Sequence, residues 1–453
     1  MLKIGEKYEF IIQDMGMNFE GIAKSDEGLT VFIKNAIIGE RVIAKVEKIT
    51  KTYAMASLQK IIQKSANRIK PVCMYYNECG GCDCQHIDYD KTLDIKLEKV
   101  KNAIRKQGLD PNLVKDITGM AIPYYYRNKV QYPVRSINGK NLIGMFSKST
   151  HDIVQNKECF IQDKITHEVA HKLFKLINKY KLLGYNEKTL KGDIKNIIVR
   201  RGIHTSDIMC VLVVTDEKLK CDKRILSIVE EITKIYSNIK SFMLNVNSKN
   251  TNVILGDKNI CMYKDEYITD YIGDFKFNIS ANSFFQVNTL SAEVLYNVLK
   301  EELNAKKDKT LLELYSGVGS IGIFLSDCAK EIYSVEIVES AVKAAIENAK
   351  LNGIDNIKYV NGDATLETLK LKKEGKFFDY IVVDPPRKGL DKEGVDLILT
   401  LVPEKIGYVS CDPATLARDL KLLEEKYKVE TIRLVDMFPW TGHVESVAVL
   451  CLK

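Results

Sequence analysis

Leu311-Leu312-Glu313-Leu314-Tyr315-Ser316-Gly317-Val318-Gly319 reads as a short apolar strand entering a tight glycine-rich turn that opens a helix. Glycines in such a turn let a ligand approach the backbone closely. On either side the pattern is strictly alternating. After a helix at 290–303, strands at Thr310–Leu314, Ile332–Ile337, Ile357–Val360, Tyr380–Val383 and Ile406–Ser410 are separated by helical stretches such as 339–352, and strands at 429–435 and 444–451 close the chain. Short apolar strands alternating with helices specify a doubly wound α/β sheet with ligands at the strands' C-terminal ends.

The turn alone does not choose the ligand. Gly317, Gly319 and Gly322 nominally complete the three-glycine fingerprint of a dinucleotide site. The acids around it narrow the choice. Glu336 ends the second strand about twenty residues on, where a carboxylate can take both ribose hydroxyls. Asp363 ends the third strand, within reach of an adenine amino group. After the fourth comes Val383-Asp384-Pro385-Pro386-Arg387-Lys388-Gly389. Acid-Pro-Pro behind an apolar strand is what many nucleic-acid methyltransferases place beside the methyl donor, so the four features together point to S-adenosylmethionine.

Ser410-Cys411-Asp412-Pro413 ends the fifth strand, with Pro413 suited to a helix's first turn. A cysteine there is expected to have its thiolate favoured by the helix dipole. Between the last two strands lies Met437-Phe438-Pro439-Trp440-Thr441-Gly442-His443-Val444-Glu445. A cysteine and a glutamate beside a methyl donor have a specific meaning. Carbon 5 of uracil is too weak a nucleophile to attack a sulfonium methyl until a thiolate adds to C6. A base must then remove the C5 proton so that the thiolate can leave. Methylating an exocyclic nitrogen needs neither group. His443 is given no proton role.

Residues 1–60 carry five short period-2 strands, at Tyr8–Gln13, Gly21–Ala23, Leu29–Ile33, Glu40–Lys48 and Tyr53–Ile61, which fit a small barrel of the oligonucleotide-binding type. Residues 88–107 are read as a helix with Leu93, Leu97, Val100 and Ile104 on one face. From about 120 to 280 strands at Lys129–Val134, Asn196–Val199, Ile208–Val214 and Val253–Leu255 mix with helices near 163–182 and 222–236. The 453 residues therefore divide into a barrel (1–62), a central α+β domain (63–285) and a Rossmann-like domain (286–453). Cys73, Cys79, Cys82 and Cys84 crowd one loop, with Cys159 far downstream. Four thiolates suit zinc or an iron–sulfur cluster equally, and spacing does not separate them.

Charge is uneven. Stretch 41–70 holds eight basic residues against the single acid Glu47, and 120–205 holds sixteen against six, whereas 281–453 is net acidic. A basic half suggests a polyanionic partner. No apolar run approaches the ~18 residues a span needs, and the N-terminus lacks a secretory apolar core. A cytoplasmic protein without a membrane partner is expected, and its cysteines are not read as a disulfide framework.

The segments Phe284-Phe285-Gln286-Val287-Asn288, Leu314-Tyr315-Ser316-Gly317-Val318-Gly319, Asp384-Pro385-Pro386-Arg387-Lys388-Gly389, Ser410-Cys411-Asp412-Pro413 and His443-Val444-Glu445 resemble the class I RNA (uracil-5-)-methyltransferases, and among them the bacterial 23S rRNA enzymes. The resemblance covers the whole chain: an N-terminal TRAM barrel, a cysteine-rich centre and a class I methyltransferase domain. It implies Gln286, Tyr315, Glu336, Asp363 and Asp384 as S-adenosylmethionine contacts, Asp384 and Arg387 beside the target uracil, Cys411 as nucleophile and Glu445 as base. It implies a [4Fe-4S] cluster on Cys73, Cys79, Cys82 and Cys159, with Cys84 spare, in a monomer making 5-methyluridine in 23S rRNA. Ser320 stands where some relatives carry Asn, and Pro386 where others carry Ala. A tRNA uracil-5-methyltransferase, or a non-catalytic iron–sulfur RNA-binding protein on the same scaffold, are the alternatives.

Overall fold

The computed structural model describes residues 1–148 and 150–453. Six strands open the chain: β1 (Lys7–Ile11), β2 (Asp14–Met15), β3 (Gly21–Lys24), β4 (Thr30–Lys34), β5 (Arg41–Ile49) and β6 (Tyr53–Gln63). They form one sheet in the order β1-β5-β6-β4-β3-β2. Alternate residues point inward, so Phe10, Ile12, Val31, Ile33, Val42 and Ala44 make a small core of their own. The two-residue β2 was not foreseen; its length is below what alternation can signal.

Helix α1 (Tyr89–Lys106) starts where Asp88 accepts the Asp90 amide and ends at Gln107. Val100 and Ile104 are buried as the spacing predicts, but the inward face also carries Lys96, with no exposed surface. Then come β7 (Val114–Thr118), β8 (Lys129–Ile137), β9 (Lys140–Ile143), β10 (Met145–Phe146), β11 (Ile153–Val154), α2 (Lys164–Lys179), β12 (Ile194–Arg201), β13 (Ile208–Val214), α3 (Lys223–Ile235), β14 (Ile239–Val246) and β15 (Lys258–Lys264). Strands β15-β14-β13-β12-β8-β9 form the central sheet, with α2 and α3 packed on one face. Val253–Leu255, read as a strand, is a loop: Asn247 Nδ2 donates to the carbonyls of Val253 (2.7 Å) and Ile254 (2.9 Å), so a side chain and not a neighbouring strand satisfies them.

The hairpin β16 (Tyr267–Ile272) and β17 (Phe275–Ser280) leads to α4 (Thr289–Leu303) and the last unit. This contains β18 (Thr310–Leu314), α5 (Ser320–Phe324), β19 (Glu331–Glu336), α6 (Glu339–Leu351), β20 (Ile357–Asn361), α7 (Ala364–Lys373), β21 (Tyr380–Val383), α8 (Lys392–Leu401), β22 (Lys405–Ser410), α9 (Pro413–Leu423), β23 (Tyr427–Val435) and β24 (Glu445–Leu452). The sheet order is β20-β19-β18-β21-β22-β24-β23-β7, parallel from β20 to β22. The order reverses at β18, the switch point where such sheets bind nucleotides. Strand β7, from far upstream, completes the edge beside β23, and α1 packs on α9. The segment after the barrel thus builds part of the catalytic sheet as well as the central one. Among the described residues no helix is long and apolar enough to cross a membrane.

Candidate active site

The turn after β18 holds Tyr315, Gly317 and Gly319 at φ of 64°, 55° and 76°. Glu336, at the tip of the adjacent strand, accepts the Gly317 amide (2.9 Å) and the Val338 amide (2.8 Å), so it shapes the turn it is expected to share with a ribose. The third glycine has a separate cause. A Cβ on Gly322 would lie 2.4 Å from Glu313 Oε2, because the buried Glu313 carboxylate accepts the Gly322 amide (3.0 Å) and the Ser334 hydroxyl. Burial pushes Glu313 up to about 7. Sequence reasoning passed over this residue, although an acid inside Leu311–Leu314 is itself a signal.

Asp363 is exposed and caps α7, accepting the Thr365 and Leu366 amides at 3.0 Å. Burial raises the Tyr315 phenol first, and the charges of Asp391 and then Asp363 raise it further. Gln286 lies on the loop before α4, which is tied down at both ends. Asn128 Nδ2 donates to the Gln286 carbonyl (2.9 Å), and Asn288 Nδ2 to the Met437 carbonyl (2.8 Å). The Gln286 side chain meets buried Tyr296, whose hydroxyl lies 2.9 Å from Ser320 Oγ. Phe284, on the same loop, is 69% exposed.

The candidate nucleophile and base meet through strand register. β22 and β24 run antiparallel with Ser410 opposite Ser446, so the next pair along brings Cys411 across from Glu445. Asp384, at the end of the neighbouring β21, completes the group. Asp384 is pushed up to about 7 by the protein packed around its carboxyl, although part of its surface is open. Glu445, 8% exposed, is pushed up to about 8 by burial and then by Asp384, with Arg387 opposing. The Cys411 thiol goes up to about 11, through burial first and then Glu445 and Asp384.

This reverses the expectation that the helix dipole would favour the thiolate. The start of α9 is already occupied, because the Asp412 carboxylate accepts the Ala414 (2.9 Å) and Thr415 (3.0 Å) amides. His443 is pushed down to about 4 by burial and by Arg387, Lys99, Lys96 and Arg127, so it is neutral at pH 7. Its Nε2 lies 3.4 Å from Arg387 Nη2, which fits an orienting rather than a proton-carrying part.

Cys73, Cys79, Cys82 and Cys159 line one cavity, shared with Gln85, Met145 and Ile161. Cys84 does not: it packs with Phe19, Ile37, Ile87 and Ile95. Gln85 Nε2 donates to Cys82 Sγ (3.3 Å) and the Gly81 amide to Cys79 Sγ (3.4 Å). Among the described residues no three Cys, His, Asp or Glu side chains converge closely enough to hold a single metal ion.

In both basic stretches most of the basic side chains are exposed. Lys45, Lys48, Lys51, Lys60, Lys64 and Lys70 are exposed on or just after the barrel. Within 120–205, however, Arg200 and Lys195 are buried, and Arg201 is bound to Asp163 at 2.9 Å.

The sequence family described as tRNA (Uracil-5-)-methyltransferase matches residues 227–453, and the TRAM domain matches 2–58. An uncharacterized RNA methyltransferase of Clostridium acetobutylicum is 42% identical, the match covering 99% of this chain and 98% of the relative. One of Caldanaerobacter subterraneus subsp. tengcongensis is 39% identical over 99% of both. Among solved structures, the Pyrococcus abyssi tRNA (uracil-54, C5)-methyltransferase in complex with S-adenosyl-L-homocysteine superposes with a TM-score of 0.78 at 26% identity, covering 98% of this chain and 100% of that one.

Proposed function

From a chain that belongs to the S-adenosylmethionine-dependent RNA (uracil-5-)-methyltransferase family and carries a TRAM domain, we propose an enzyme that methylates carbon 5 of a uridine in 23S rRNA through a Cys411 adduct. The observation that carries the chemistry is the register that sets Cys411 opposite Glu445, with Asp384 and Arg387 alongside.

Burial raises all three acidic groups, Asp384 raises Glu445 further, and both carboxyls raise Cys411, so the site resists losing protons until a cation enters it. Once the thiol proton has passed to solvent, Cys411 Sγ adds to C6 and the C5=C6 pair moves out through C4 to O4, and Arg387, whose charge is felt by Cys411 and Glu445, would steady the charge that develops. S-adenosylmethionine, when bound, supplies the methyl carbon that C5 attacks and leaves as S-adenosylhomocysteine. Glu445 then takes the C5 proton; that electron pair re-forms C5=C6 and expels the Cys411 thiolate. Gln286, Tyr315, Glu336 and Asp363 are the proposed cofactor contacts. The target base must leave its stack to reach between Cys411 and the donor.

A [4Fe-4S] cluster is proposed on Cys73, Cys79, Cys82 and Cys159. Four cysteines lining one cavity, with an N–H group donating to each of two of their sulfurs, support the assignment. Carbon 5 methylation needs no redox step, so its contribution is to fold the loop that carries Cys82 and Asp83.

The choice of 23S rRNA is supported by the whole-chain resemblance and by the exposed lysines of the TRAM barrel. The Pyrococcus abyssi neighbour, a tRNA (uracil-54, C5)-methyltransferase, favours tRNA as a second reading. Methylation of naked 23S and tRNA transcripts in parallel decides between them: 5-methyluridine in the 23S transcript alone is expected, and product only in tRNA would overturn the choice.

A further inference from the structure

The loop joining β23 to β24 carries Glu445 at its end, yet almost none of its anchors belong to its own domain. Asp436 is held by Lys96 Nζ (2.6 Å) and the Tyr89 hydroxyl (2.9 Å), and the Pro439 carbonyl by the Tyr126 hydroxyl (3.0 Å). The Trp440 carbonyl accepts the Asp83 amide (2.8 Å), and its indole N–H donates to the Pro123 carbonyl (2.7 Å). Trp440 sits at φ 65°, a conformation that a bulky side chain adopts only when its surroundings impose it.

The anchors converge on Gly442. Its amide donates to Asp83 Oδ2 (2.9 Å), from the cysteine-rich loop. Its carbonyl accepts Lys99 Nζ (2.5 Å), from α1. The same ammonium also donates to the Met17 carbonyl of the barrel (2.9 Å). A Cβ at position 442 would lie 2.6 Å from that Met17 oxygen, so only glycine allows the three units to meet here.

We propose that Asp83 and Lys99 are positioning residues for the proton-removal step: by gripping the Gly442 peptide from both sides they set the Glu445 carboxylate against C5 of the methylated adduct. The inference rests on the reading of Glu445 as base. Cys411 is carried separately, on the residue that follows β22, so addition to C6 and methyl transfer do not depend on this grip. Loosening it therefore stalls the reaction after C5 has taken the methyl and before its hydrogen leaves.

The test is a single turnover on a transcript tritiated at uridine C5, with a carbon-labelled methyl donor, so that methyl transfer and tritium release are timed separately. Lys99→Met keeps the aliphatic stem in place, and Asp83→Ala removes the other grip. For both, methyl transfer should stay within about threefold of the parent while tritium release slows by ten- to a hundredfold, the order expected of an ångström-scale misplacement. A denaturation-resistant protein–RNA band should accumulate. Asp83→Asn, which still offers an acceptor to the Gly442 amide, should restore release. Fluorescence of Trp440, the only tryptophan, reports whether each variant is folded with the loop seated. Methyl transfer and tritium release falling in parallel, or neither changing, would overturn the proposal. Glu445→Gln run alongside separates the two readings. If it traps the adduct and Lys99→Met does not, only the positioning assignment fails; if it releases tritium at the parent rate, the base assignment fails and this one with it.

Discussion

The cofactor turns and the catalytic loop lie on one edge of one sheet but are built in different ways. On the cofactor side the turns after β18, β19 and β20 are local to the βα repeat, while the Gln286 loop is tied to Asn128 of the central sheet. Glu336 holds Gly317 nineteen residues back, Glu313 holds Gly322, and Asp363 caps the helix that follows it. On the catalytic side the loop from Asp436 to Val444 is held by Asp83, Tyr89, Lys96, Lys99, Tyr126 and Asn288, most of them more than three hundred residues away in the chain. The cofactor turns are held by their own repeat, whereas the catalytic loop is held by groups from distant parts of the chain.

Substitutions can pull the two halves apart. The largest effect is expected from Cys411→Ala, which should reduce turnover to background while S-adenosylmethionine affinity, measured by calorimetry, stays near the parent's. Loss of cofactor binding would show that the halves are not separable. Lys96→Met should be the most damaging to stability. It strands the Asp436 carboxylate, which has no exposed surface, and removing one partner of a buried pair costs about 3–5 kcal/mol in denaturant unfolding.

Asp384→Asn should act in the opposite direction. Its carboxyl is held at about 7, well above the ordinary 3.8. The native state therefore binds this proton more tightly than the unfolded chain, and the resulting stability is present below about pH 4 and lost as pH rises through 7. The variant escapes that loss. In the absence of ligand it should exceed the parent by about 2–4 kcal/mol at pH 8 and by little at pH 4, while being inactive. Equal stability at both pH values would remove the case for a strained acidic group. The smallest effect belongs to Gly322→Ala. Its new Cβ must displace Glu313, weakening the turn by about 1–3 kcal/mol, read as lower cofactor affinity with the Cys411 adduct still able to form.

The same contrast explains what could be read from the sequence. Period-2 strands, alternating helices and the glycine turn are local patterns, so the doubly wound unit, the barrel and helix α1 were legible within a few residues. The ends of β21 and β22 could be placed for the same reason, and with them Asp384 and Cys411. Lys96 was not legible as a buried residue, because its partner Asp436 lies 340 positions away and no spacing links them. Strand β7 was missed as part of the catalytic sheet for the same reason. Val253–Leu255 looked like a strand because three apolar residues carry no information about where their carbonyls go. The thiol's raised pKa was invisible because it depends on Glu445 and Asp384 arriving from other strands, and on Asp412 occupying the helix start.

The central claim, that Cys411 bonds to the pyrimidine ring, is tested most directly with an RNA substrate in which the target uridine carries fluorine at C5. After methyl transfer there is no C5 proton for Glu445 to remove, so the adduct cannot resolve. Incubation with S-adenosylmethionine should yield a denaturation-resistant complex whose RNA maps by mass spectrometry to the peptide containing Cys411. Methylated RNA with no linked protein, or linkage at another residue, would contradict the account.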